Sequence, residues 1–414
     1  MKWVQRMKVV QINGVSSSGS TGKIVTQLSG VMRENNIENY IISSGYKEKT
    51  KADNVYFCSS NIGVKLHQIL GVLCGNSGFH SPIATYKTIS FIKQIKPDVV
   101  HLHNIYSYYL NVEKLLLFLK KSGIPVVWTM HDFWTITGHC THFESVGCDK
   151  WKTQCGKCPQ KRLFPYSKFF DRSKSLHKKK RKIFQGWDNL HIVTVSNWVK
   201  SKVEQSYLAD KSITPIYNGI DLNTFRKKQV NRPTWMKEKF VILGVSMGWN
   251  SQKGFDDFLK LSQKLDDDEI IVLIGLTDKQ IKVLPDNIIG IKRTANTDEL
   301  CNYYNMADVY VSASVEETMG LTVVEAMACG TPAVVYNKTA LPELICDGCG
   351  FVCEYGVDCL YEGIQKVRQK MKTDFSDKCV SFVSKNFDKQ NQYEKYCDLY
   401  KEIVGRNNSE AGLK

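Results

Sequence analysis

Short β-branched runs recur along this chain, separated by stretches whose apolar residues fall at helical spacing. In the first half the runs occupy 9–12, 40–42, 99–102, 125–129 and 192–196. Each predicts a strand, because branched side chains fit a pleated sheet and the runs are too short for helices. After Asn218-Gly219-Ile220-Asp221 the alternation restarts, predicting strands at 240–245, 270–274, 288–291, 309–311 and 333–335. Strands alternating with helices point to parallel sheets covered on both faces. The predicted fold is α/β: two doubly wound, Rossmann-like domains facing across a cleft at the carboxyl ends of their strands, where such sheets take ligands. The first domain spans 1–220, a polar linker covers 221–238, and the second domain spans 239–387. A helix over 388–404 is expected to pack back on the first domain, and 405–414 to be a flexible tail.

Length and composition agree with this division. The chain has 414 residues, 43% apolar and 23% charged, which suits globular domains with cores of their own. No run of about 18 apolar residues predicts a membrane-spanning helix. The opening MKWVQRMKVVQIN lacks the apolar stretch of a secretory signal, so the expected compartment is the cytoplasm. The formal charge of +15 favours anionic partners. No nucleic-acid recognition motif accompanies it, which leaves phosphorylated substrates and anionic membrane surfaces. The fourteen Cys, in a long chain with ample apolar residues, read mostly as reduced core thiols.

The most informative stretch runs from Ser312 to Pro332, SASVEETMGLTVVEAMACGTP. A strand leads into a turn at Met319-Gly320, and a helix is predicted over 321–328, stopped by Gly330 and Pro332. A helix N-terminus at a strand end offers backbone N–H groups to an anion. Glu317 and Glu325 bracket that seat, and ionised carboxylates accept hydrogen bonds only, so they suit hydroxyls. A ligand with phosphate in the middle and polyhydroxy rings at both ends fits: a nucleotide sugar. Taken alone, two such Glu are more often plain surface carboxylates.

The same stretch resembles the E-x7-E signature of the family 4 retaining glycosyltransferases, followed by EAMACGTP much as that family writes it. The resemblance covers about 8–397 and implies the GT-B fold. It implies transfer of a hexosyl group from a UDP- or GDP-sugar to a hydroxyl of a glycan or polyprenyl-pyrophosphate-linked acceptor, with retention and without a catalytic metal. The setting implied is bacterial capsule, O-antigen or exopolysaccharide assembly. Glu317 is expected at the sugar hydroxyls and Glu325 at the ribose. The amides around Met319, Gly320, Leu321 and Thr322, with Lys253 of Gln252-Lys253-Gly254, are expected at the diphosphate. His131, at the end of a strand, is expected beside the transferred sugar, with Asp132 either orienting it or capping the segment after it. The turn Gly19-Ser20-Thr21-Gly22-Lys23 is expected to face the diphosphate; it is not a Walker A loop, since Ile24 stands where that motif needs Ser or Thr. Relatives usually carry an Arg near Ser246-Met247-Gly248-Trp249-Asn250, absent here; Lys23 and Arg293 are two candidates to supply the charge. Arg293 also ends a strand near the expected base site.

Three further features stand apart. Cys140, Cys148, Cys155 and Cys158 lie in a Cys-rich insertion at about 139–160 and are a candidate structural zinc set, with His139 and His142 as substitute ligands. Reduced thiols or a redox-sensitive loop are the alternatives. The basic block His177–Lys182 beside aromatics suits the anionic inner leaflet, or is a solvated helix face. Asp266-Asp267-Asp268 is read as a solvated turn. Two other functions remain open from sequence: a nucleotide-sugar epimerase of the same fold, and a non-catalytic nucleotide-sugar-binding scaffold.

Overall fold

A computed structural model describes residues 6–48 and 52–411, with side chains through 406. The ends of the N-terminal stretch and of the tail, 1–5 and 412–414, lie outside these residues. The chain divides into two units, one of 1–216 with 393–414 and one of 217–392.

The first unit is built on strands β1 (Lys8–Ile12), β2 (Glu38–Ser43), β3 (Val55–Phe57), β4 (Val99–Leu102), β5 (Val126–Met130), β6 (Leu190–Thr194) and β7 (Ser212–Pro215). They form one sheet in the order β3-β2-β1-β4-β5-β6-β7, with every pairing parallel. The chain order reverses between β1 and β4, which places a topological switch point there. The second unit carries β8 (Phe240–Val245), β9 (Glu269–Ile274), β10 (Ile288–Ile291), β11 (Val309–Ser312), β12 (Ala333–Tyr336) and β13 (Gly350–Cys353). Their order is β10-β9-β8-β11-β12-β13, again all parallel, with the switch between β8 and β11. Two doubly wound α/β sheets on one chain are the expected fold class.

β4, β5 and β12 are buried at every position. That accounts for their unbroken apolar character, since each face meets a helix. In the first unit, Val9, Val99, Val127 and Val193 pack with Tyr393, Tyr396, Cys397 and Tyr400 of the helix Lys389–Ala411. That helix continues through 405–411, where the sequence predicted a flexible tail. Ile403 and Val404 still pack on the core, and Arg406 pairs with Glu402 one turn back, so the helical pattern carries on. The stretch read as a linker is also tied down within the second unit: Asp221 bonds Lys389 at 2.7 Å and Arg232 bonds Asp308 at 2.7 Å.

Asp266, Asp268 and buried Glu269 all bond Arg368, so the Asp turn is an anchored corner of the second sheet. Cys346 and Cys349 are joined as a disulfide, and the other twelve cysteines are free.

Candidate functional site

In the second unit, β11 feeds a turn that is stitched to the loop after β8. Val315 N–H donates to Gln252 O at 3.0 Å, and Gln252 Nε2 donates to Glu316 Oε2 at 3.0 Å. Gly254 makes this approach possible: with φ of 76°, an added Cβ would lie 2.3 Å from Ala313 O. Buried Glu316 thus holds the Lys253 turn in place, a role that sequence alone did not assign. The result is that Lys253 Nζ lies 2.6 Å from Glu317 Oε1 and 3.4 Å from Glu316 O. The two side chains expected at the diphosphate and at the sugar form an ion pair with each other.

The helix Leu321–Ala328 starts where expected, behind Gly320 at φ of 93°. A Cβ there would sit 2.8 Å from Leu341 Cδ2, so both conformation and space select glycine. Met319 is buried and its Sδ receives Asn218 N–H at 3.2 Å. Thr322 Oγ1 accepts from Tyr310 OH at 2.8 Å. Glu325, one turn further, accepts from Tyr304 OH at 2.9 Å, which fixes the orientation of its carboxylate. Lys253, Glu317, Met319, Gly320, Leu321, Thr322 and Glu325 therefore form one cluster within the second unit. Arg293 does not join it. It is exposed beyond β10, three strands from β11, or about 14 Å at ~4.8 Å per strand.

The first unit holds a buried polar network on one face of its sheet. Residues of alternating position on β1, β4 and β5 point the same way, which brings Gln11, His101, His103, Thr129 and His131 together. His103 Nδ1 is 3.0 Å from His131 Nε2, and His103 Nε2 is 3.3 Å from Gln11 Oε1. Gln11 donates its Nε2 to Val25 O, so the atom it turns to His103 is an acceptor. His103 then carries hydrogen on Nε2 and a lone pair on Nδ1. That lone pair takes the hydrogen of His131 Nε2, which leaves the lone pair of neutral His131 on Nδ1. Burial holds both rings neutral: it pushes His103 well below the ordinary histidine range and His131, which keeps some exposed surface, down to about 4. Asp132 is not the orienting partner: it accepts Trp134 N–H at 2.9 Å and the Tyr106 hydroxyl. The network continues behind the site, since His101 bonds Thr129 Oγ1 at 2.8 Å and Tyr400 OH at 2.7 Å.

Gly19, Ser20 and Gly22 belong to the first turn of the helix Gly19–Glu34, so the free loop ends at Ser18. Lys23 is exposed on that turn. Glu48 approaches the preceding loop, accepting Ser16 N–H at 2.7 Å and Ser17 Oγ–H at 3.0 Å.

Cys140, Cys148, Cys155 and Cys158 line a single cavity of about 10 Å³ together with His139. His139 Nε2 is buried without a hydrogen-bond partner among the described residues. Those donor types suit zinc. Among the described residues, however, no three His, Cys, Asp or Glu side chains are set to hold a metal ion as they stand.

Two parallel doubly wound sheets, with the E-x7-E pair at a helix start in the second, are the architecture of the GT-B glycosyltransferases. The glycosyltransferase family 4 model matches 21–224, and the glycosyl transferases group 1 model matches 226–378. The chain belongs to glycosyltransferase family 4. It is 26% identical over 273 residues to a putative colanic acid biosynthesis glycosyl transferase of Escherichia coli, covering 63% of this chain and 64% of that protein. The chain thus spans under two thirds of that relative's length. Among solved structures, sucrose-phosphate synthase from Thermosynechococcus elongatus aligns with a TM-score of 0.70 at 14% identity, over 97% of this chain and all of that one (100%). An Anabaena protein, HepE, in complex with UDP-glucose aligns with a TM-score of 0.63 at 14% identity, over 96% of this chain and 100% of that one.

Proposed function

We propose that this glycosyltransferase moves a hexosyl group from a UDP- or GDP-sugar to a hydroxyl of a glycan or lipid-linked acceptor, with retention, during assembly of a bacterial surface polysaccharide. The observation that carries this reading is the Lys253–Glu317 pair, 2.6 Å apart and directly before the helix Leu321–Ala328. A cation and a helix N-terminus serve a diphosphate, and a carboxylate between them serves sugar hydroxyls. The E. coli relative's colanic acid context and the UDP-glucose complex of HepE support the polysaccharide setting and the donor class.

In the proposed reaction the bond from the anomeric carbon to the β-phosphate oxygen breaks. The acceptor oxygen bonds that carbon on the same face, and its proton passes to the departing phosphate. Charge growing on the diphosphate is met by the first-turn amides at Gly320–Thr322 and by Lys253 Nζ, groups fixed before the reaction begins. Glu317 exchanges its contact with Lys253 for hydroxyls of the sugar. Glu325, held by Tyr304, takes the ribose hydroxyls. His131 accepts a hydroxyl of the transferred sugar at Nδ1. No step uses a metal.

Incubation with labelled UDP- and GDP-sugars, with and without membrane-extracted lipid acceptor, tests this. Acceptor-dependent transfer with retained anomeric configuration is expected. Sugar conversion without acceptor would make the chain an epimerase, and donor binding with neither outcome would make it a scaffold.

A further inference from the structure

The helix Asn61–Cys74 buries one side through Val64, His67 and Gly71. Its other side is apolar as well, and among the described residues nothing covers it. Ile62, Leu66, Ile69, Leu70 and Leu73 follow helical spacing, and the first three are 80%, 55% and 56% exposed. From Ile62 to Leu73 this stripe is about 18 Å long, at ~1.5 Å per residue. The loop after the Cys-rich segment crosses its C-terminal end. Lys168 N–H bonds Val72 O at 2.9 Å, and Arg172 Nε bonds Cys74 O at 2.7 Å. Those bonds fix Phe169 and Phe170 beside the helix, 57% and 56% exposed. Single exposed apolar residues are ordinary, but a continuous stripe of this size marks an interaction surface.

Charge identifies the partner. From 54 to 97 the chain has no Asp or Glu but carries Lys65, Lys87, Lys93 and Lys96. From 150 to 170 it again has none, while Lys161, Arg162 and Lys168 flank the aromatic loop. A protein partner of ordinary composition gives no reason to exclude acid over two separate segments. Exposed Lys65 on the helix and exposed Lys168 beside its end set cations at the stripe, while Asp171, next to Phe170, accepts Cys158 N–H and Ser173 N–H. An apolar stripe flanked by cations suits lipid tails beneath anionic headgroups. No helix among the described residues is long and apolar enough to cross a membrane, so the contact is a face laid on the bilayer.

We propose that the outer side of the helix Asn61–Cys74, with Phe169 and Phe170, docks this chain on an anionic bilayer. It is a different surface from the basic block His177–Lys182, which the sequence leaves as a leaflet contact or a solvated helix face. In that block Lys179 bonds Glu113 at 2.8 Å, and Lys180 is buried over the Trp134 ring. The proposal stands independently of the donor and acceptor chemistry above.

The test is flotation of the full chain with phosphatidylglycerol vesicles and with phosphatidylcholine vesicles. Wild type is expected to float with the anionic vesicles at least tenfold better, and to lose that preference at high salt. Leu66→Ser with Ile69→Ser is expected to cut the partition at least tenfold with an unchanged melting temperature. Lys65→Gln with Lys168→Gln is expected to cut it several-fold on the anionic vesicles alone. Three results would each overturn the proposal: wild type that floats with neither vesicle, a serine variant that floats like wild type, or a wild-type dimer that the serine variant converts to monomer.

Discussion

His103 Nδ1 lies 3.0 Å from His131 Nε2, and this contact decides which nitrogen of His131 carries hydrogen. The expected consequence is visible without a substrate. In 15N spectra the His131 ring should show Nε2 protonated and Nδ1 unprotonated from pH 6 to 8. His103→Leu, which keeps the packing but removes the acceptor, should release that preference. It should lower kcat about tenfold to a hundredfold while leaving the KM for the nucleotide sugar within about twofold, as expected of a residue that positions another. An unchanged His131 spectrum in His103→Leu would overturn the assignment.

The buried histidines also set how the fold responds to acid. Burial lowers His67 to about 3, His131 to about 4, and His101 and His103 well below the ordinary value. Geometry agrees for His67, whose Nε2 accepts Gly78 N–H at 3.1 Å and so bears a lone pair. Below about pH 6.5 the unfolded chain binds protons that the folded chain refuses, so stability falls as pH drops and is level above that point. Each histidine contributes a slope of up to about 1.4 kcal/mol per pH unit. Urea midpoints measured from pH 7.5 to 5 should therefore fall steadily below about 6.5, and a flat profile would contradict the buried neutral set.

The ion pair of the second unit makes a sharper demand. If Lys253 meets the leaving diphosphate and Glu317 the sugar, the two substitutions must differ. Lys253→Ala should lower kcat about a hundredfold to a thousandfold, the usual effect of losing one charge-stabilising donor, with partial recovery in Lys253→Arg. Glu317→Ala should abolish transfer while UDP binding, followed by calorimetry, stays within a few-fold. Wild-type turnover in Glu317→Ala would remove it from the site, and near-normal turnover in Lys253→Ala would shift the leaving-group role to the helix N-terminus.

Much of this was legible from residue order. Every interior strand of both sheets was predicted, because burial on both faces leaves an unbroken apolar run. The strands missed were β3, β7 and β13, all at sheet edges and three or four residues long. An edge strand packs fewer side chains, so composition constrains it less. The Glu317 to Glu325 segment was legible because turn, helix start and carboxylates fall on one continuous stretch. His103 and Glu316 were missed because their partners are distant in sequence and near only once strands align. His101 on a predicted strand and His103 just past its end were the available signal: alternation puts both on one face. The basic block is split by the fold: Lys180 joins Leu176 and Ile183 on the buried stripe of the helix Ser173–Phe184, while Lys178, Lys179, Arg181 and Lys182 stay exposed, a division that a run of charges does not reveal.

The Cys-rich insertion can be tested on purified protein alone. Four thiols and a His139 Nε2 with no hydrogen-bond partner among the described residues lie around one small cavity, and a zinc ion there would draw them into a tetrahedral set. Elemental analysis of protein made without added metal should then find about one zinc per chain, and chelation should lower the melting temperature. Metal-free protein of unchanged stability would leave this loop as a cluster of reduced thiols.

Glu48 bears on whether the Gly19 turn belongs to the donor site. Its carboxylate takes Ser16 N–H and Ser17 Oγ–H, so an anion already sits on the loop that would face the diphosphate. A donor phosphate arriving there meets like charge, and Glu48→Gln should tighten UDP binding several-fold at low salt, less at high salt. Gly22→Ala should act in the opposite sense. Its Cβ would lie 3.0 Å from the Ser17 carbonyl carbon and 3.1 Å from Ser17 N, pressing the loop out of its present path. UDP affinity measured by calorimetry should therefore rise in the first variant and fall in the second. If neither moves, the turn contributes nothing to the donor, and the helix at Leu321 with Lys253 carries the diphosphate alone.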